Sequence, residues 1–131
     1  MTQQEKELLM KDLCARLPYG VKISVENRVE TLQGINTLDN VAEYGSFLSS
    51  DIEEVKPYLL PLSSMTEEQK NEWNRWKHMI PVCRYEYGEA VEEIELWDSP
   101  ESNLYLIENN FDGNGLIPLG LAEDASKLKI Y

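Results

Sequence analysis

Histidine occurs once in this chain, cysteine and phenylalanine twice each, and basic side chains half as often as acidic ones. Each shortage excludes a class of function. The single histidine, His78, cannot build a multi-histidine metal site, and nothing recognisable around it supplies a Ser-His-Asp arrangement. Cys14 and Cys83 form no C-x-x-C pair, so neither a disulfide framework nor a zinc site is expected. Glycine-rich phosphate loops are missing, as is the basic–aromatic interleaving that binds single-stranded nucleic acid. There is no apolar run of roughly 18 residues that could span a membrane. The N-terminal "MTQQEKELLMKDL" is charged where a signal peptide would be apolar, so the expected location is the cytoplasm.

What is present is acid. The 131 residues carry 24 Asp and Glu against 12 Lys and Arg, a formal net charge of −12. The excess is uneven: between Tyr85 and Asp124 there are eleven carboxylates and no Lys or Arg. Such a surface repels nucleic-acid backbones and anionic lipid, and favours solubility, cations or a basic partner. No direct nucleic-acid contact and no membrane contact are expected, and the partner is read as a protein. Within the acidic stretch Glu86, Glu89, Glu92, Glu93 and Glu95 are the candidate partner-binding residues. The hydrophobic content of 42%, with three Trp and seven Tyr, is that of one ordinary globular domain.

Local patterns give an α+β fold. Thr2 and Glu5 form a capping-box signature for a helix over 2–17, with Leu9, Leu13 and Leu17 as its apolar stripe, widened by Met10 and Cys14. Cys14 thus reads as a small core hydrophobe. Alternation over 21–25 predicts a strand, "ENR" at 26–28 a turn, 29–33 a second strand and 41–44 a third. Pro57 and Pro61 confine 52–62 to an edge strand or extended segment. A small antiparallel meander of three to five strands follows from this. Thr66 caps a second helix, predicted to run to Ile80 with Trp73, Trp76 and Ile80 on one face, His78 near its end and Pro81 as its stop. Residues 84–98 fit neither period and read as two short strands or a frayed helix. Ser99-Pro100 starts a C-terminal helical segment, expected to continue towards Tyr131.

The stretch "NFDGNGLIPL" (110–119) resembles a calcium loop: Asn110, Asp112 and Asn114 occupy ligand positions 1, 3 and 5, with Gly115 at 6 and Ile117 at 8. Position 12 is Leu121, which removes the bidentate carboxylate. Positive-φ turn chemistry accounts for the same residues, with Leu116, Ile117, Leu119 and Leu121 returning to the core. A turn is expected, with no metal, no cofactor and no catalytic residues.

Three stretches, "KDLCARLPYGVKI" (11–23), "IEEVKPYLLPLSSMTEEQ" (52–69) and "FDGNGLIPLGLAEDA" (111–125), resemble a family of small proteins of gut-dwelling anaerobic bacteria. Its members are often associated with prophages and other mobile elements and have no assigned activity. Relatives tend to carry a Trp-Leu-Asn and His-His-Phe-Asp run with a following basic residue before "GLI"; this chain has "YLIENNFDGNGLI" there. The resemblance implies a helix over 99–110 and a small accessory protein. The leading expectation is a non-catalytic interaction module whose acidic third meets a basic partner. Its rivals are a phosphate-mimicking inhibitor of a DNA-binding protein and a small-molecule-binding enzyme with a cleft near Tyr19, Tyr44, Tyr58 and Trp97.

Overall fold

A computed structural model describes residues 1–46 and 48–131. The fold is α+β. The chain forms two compact units: residues 1–64 with 107–131, and residues 65–106, which are inserted between those two segments.

The first unit opens with helix α1 (Gln3–Arg16), capped by Thr2, whose hydroxyl accepts from Glu5 N at 3.1 Å while the Glu5 carboxylate accepts from Thr2 N at 3.0 Å. The fully buried face of α1 is Leu9, Asp12, Leu13 and Arg16, and Met10 and Leu17 of the expected stripe are half-buried against the same core. Cys14 is exposed, which corrects its assignment to the core. Five antiparallel strands follow: β1 (Lys22–Val25), β2 (Arg28–Asn36), β3 (Val41–Tyr44), β4 (Leu48–Asp51) and β5 (Lys56–Leu59).

The β1–β2 turn falls at Glu26 and Asn27, both with positive φ, and β2 runs on through Gly34 to Asn36 with a bulge after Leu32. Pro57 lies in β5 opposite Ile23, yet β5 is not an edge. The two-residue β8 (Glu123–Asp124) pairs with it in parallel, giving the order β4-β3-β2-β1-β5-β8. Leu9 and Leu13 join Val21, Ile23, Val25, Leu32, Ile52, Leu59, Leu116 and Leu121 in the core. Burying side chains of this kind stabilises by roughly 1.5–3 kcal/mol each, before ordering entropy is subtracted.

The second unit contains helix α2 (Glu67–Arg75), strands β6 (His78–Glu86) and β7 (Glu89–Trp97), and most of helix α3 (Pro100–Glu108). Thr66 caps α2 with the expected box to Gln69. The helix ends five residues short of the predicted Ile80, however. His78, Met79 and Ile80 are strand, paired with Trp97, Leu96 and Glu95. Residues 84–98, ambiguous by pattern, belong to one long hairpin with nine pairs in register. Ser99 caps α3, its hydroxyl accepting from Ser102 N at 3.0 Å, with Pro100 in the first turn. No helix continues to Tyr131; beyond Glu108 the chain is loop apart from β8.

Candidate interaction surface

The second unit buries Met65 and Leu106 at its two ends and no hydrophobic side chain between them. Its apolar groups are instead on show. Trp76, Met79, Tyr85, Tyr87, Ile94, Leu96, Trp97 and Leu104 are all exposed, so the expected face of Trp73, Trp76 and Ile80 is not a buried stripe. Trp73 is half-buried, with Lys77 Nζ 3.6 Å from its ring centroid.

Cross-strand pairing sorts the hairpin into two faces, because directly paired residues share a side of the sheet. One face carries Met79, Pro81, Cys83 and Tyr85 on β6 beside Leu96, Ile94, Glu92 and Ala90 on β7. Its single charge is Glu92, and Met79, Tyr85 and Ile94 are 71%, 80% and 69% exposed. The other face carries Glu86, Glu89, Glu93 and Glu95, with Arg84, His78 and Trp97, and between them Ile80, Val82 and Val91, which are half-buried. Four of the five candidate glutamates therefore lie together on one face, and Glu92 sits alone in the apolar one. His78 begins β6 and is not at a helix end.

Electrostatics on the acidic face are partly compensated. Arg84 hydrogen-bonds Glu95 and lies 3.7 Å from Glu93. Hydrogen bonds from the Trp97 indole (3.0 Å) and from Arg84 hold the Glu95 carboxyl below the usual carboxylate range; the Glu95 hydrogen bond and the charge of Glu93 raise Arg84. At the tip Glu86 and Glu89 face each other directly, a like-charge pairing that disfavours the hairpin. Tyr87 stands at φ 51° in the connecting turn, a position better suited to Asn, Asp or Gly. The tip is thus acidic, strained and fully exposed.

The calcium-like loop belongs to the first unit and is held from within. Asp112 Oδ1 and Oδ2 accept the backbone N–H groups of Leu116 (2.8 Å) and Ile117 (2.9 Å), so both carboxylate oxygens cap the turn. Asn114 turns its amide N–H to Asp12 at 3.0 Å. Asn110 takes positive φ and its carbonyl accepts from Leu60 N at 2.8 Å. Asp112 and Asn114 are therefore committed within the protein, whereas the buried Asn110 side-chain oxygen has no protein partner. Among the described residues no three His, Cys, Asp or Glu side chains gather as a metal cluster. Leu116 and Leu121 return to the core as expected, whereas Leu119 is 52% exposed.

Beneath the loop lies a feature that pattern reading missed. Arg16, 1% exposed, donates to Asp12 Oδ2 (2.8 Å) and to the Phe111 carbonyl (2.6 Å), while its Nη1 has no protein partner. The available signal was the Asp–Arg i,i+4 spacing on the same face as Leu9 and Leu13.

The tyrosines of the expected aromatic cleft differ in burial and place within the first unit. Tyr44 is buried on β3 with its hydroxyl 2.7 Å from Ser50 Oγ, Tyr58 lies on β5 with β2 and β1 between, and Tyr19 is exposed. Trp97 belongs to the second unit. A depression of about 630 Å³ beside Tyr44 is lined, among the described residues, by Gln33, Glu43, Ser46, Leu48 and Ser49. No known protein family, curated protein or solved structure matches this chain. Among the described residues no helix is long and apolar enough to cross a membrane.

Proposed function

We propose that the chain is a non-catalytic, cytoplasmic interaction module of the mobile-element type that its sequence resembles. Residues 65–106 present its binding surface to a basic protein partner. One observation carries the reading: a unit of 42 residues leaves every hydrophobic side chain between Met65 and Leu106 at least partly exposed. A contiguous apolar face next to an acidic one is the composition of a recognition surface with cationic preference. The phosphate-mimic reading is weaker, because it uses the acidic face alone and leaves the exposed face of Met79, Tyr85 and Ile94 without a role.

The test is capture from host lysate with the intact chain and with a Tyr85→Ser, Ile94→Ser, Leu96→Ser variant, at low and high salt. These side chains are exposed, so the variant keeps its fold. The module reading expects a basic protein that persists in moderate salt and is lost with the variant. Retention unaffected by the three substitutions sinks it. Displacement by duplex DNA would favour the mimic instead.

A further inference from the structure

Resting on that reading, the register of the hairpin says how a partner is held. Tyr87 and Gly88, with φ of 51° and 81°, form a two-residue turn that makes Glu86 and Glu89 a hydrogen-bonded pair. Bonded and non-bonded pairs alternate from there. The peptide groups of Ala90, Glu92, Ile94 and Leu96 therefore point away from β6. No third strand covers that edge among the described residues. The outer edge of β6 is poorer, since Pro81, opposite Ile94, faces outward and has no N–H to give. The same geometry explains why a proline is tolerated in the middle of β6: at a non-bonded pair it removes nothing from the ladder.

The open β7 edge separates two chemistries. On one side of it stand Glu89, Glu93 and Glu95, with Val91 and Trp97; on the other, past Glu92, Ile94 and Leu96 continue into Met79 and Tyr85. We propose that this edge takes an extended basic segment of a partner protein as a third, antiparallel strand, in which Lys or Arg alternates with apolar residues. The basic side chains fall beside Glu89, Glu93 and Glu95, and the apolar ones widen the Tyr85–Ile94–Leu96 patch. Main-chain bonds supply affinity and the alternation supplies specificity. A second copy of this chain is the poorer occupant. It would bring its own row of glutamates against this one, on a molecule of net charge −12.

The experiment follows amide hydrogen exchange by NMR on the full chain, with a peptide of alternating Lys and Val matched to the nine residues of β7. Exchange at Ala90, Glu92, Ile94 and Leu96 is expected to slow by about tenfold or more at saturation. Val91, Glu93 and Glu95, already bonded to β6, should change far less. N-methylation at the Val positions should abolish the effect, because those peptide N–H groups face β7 in an antiparallel pair; N-methylation at the Lys positions should not. Binding that leaves the four amides unprotected overturns strand addition, and so does no binding, or equal protection by a Glu–Val peptide. Sedimentation as a dimer, with the same amides protected without peptide, overturns it in favour of a second copy. If a lysate partner is lost with the Tyr85, Ile94 and Leu96 variant while the amides stay unprotected, the module stands and only the strand falls.

Discussion

Arg16 is where the helix at one end of the chain meets the loop near the other. Its guanidinium is buried against Asp12 and the Phe111 carbonyl, 95 residues away in sequence. Asn114 completes the arrangement by donating to the second Asp12 oxygen. A buried ion pair contributes little compared with an apolar replacement, but breaking it strands a charge. Asp12→Ala is therefore expected to cost about 3–5 kcal/mol in urea denaturation. Asp12→Leu combined with Arg16→Met should cost less than that single change, and simple additivity of the two would show the pair to be uncoupled. None of this was legible from hydropathy, which assigns Asp and Arg to solvent. The same rule placed Cys14 inside, one residue off the face that Leu9, Asp12, Leu13 and Arg16 actually bury.

At the scale of elements, Tyr131 does what a strand would otherwise do. Its hydroxyl accepts from Lys22 N (2.9 Å) and donates to the Tyr58 carbonyl (2.7 Å), where continued β1–β5 pairing would join those residues directly. The residue as a whole is 47% exposed, but its hydroxyl end lies between two strands, and desolvation pushes the phenol up to about 12. A raised folded-state pKa contributes stability that is complete below the ordinary tyrosine value near 10 and lost as pH rises towards 12. Thermal melts across that window should show a steeper decline for the wild type than for Tyr131→Phe; parallel declines would refute the bridge. Caps were the most legible elements: Thr2, Thr66 and Ser99 each start the helix their neighbours predicted. Ends were not. The α2 pattern points onward to Ile80, but nine cross-strand pairs outweigh the local preference and draw His78–Ile80 into β6. Tyr87-Gly88 lacks the usual Asn-Gly signature, and within 84–98 only Val91 and Glu95 are half-buried, too few to set a period.

For the whole molecule, the insertion of residues 65–106 into the first unit is the organising fact. The flanking segments are joined by main-chain bonds of their own, Leu60 N to the Asn110 carbonyl and Asp112 N to the Leu60 carbonyl, both 2.8 Å. Replacing 65–106 by a short Gly/Ser linker should therefore leave cooperative unfolding by circular dichroism, with a melting temperature within about 5 °C of the parent. A non-cooperative melt would show that the first unit cannot stand without the insert. The topology also sets a timetable during translation. At roughly 5–20 residues per second, Phe111 leaves the ribosome roughly 5–20 s after Arg16. For that interval the nascent helix has neither its carbonyl partner nor Leu116 and Leu121 to close over it, whereas the hairpin's contacts are already local. Residues 65–106 are complete on the emerging chain before the unit that carries them, so the partner proposed for them would meet its surface while synthesis is still under way.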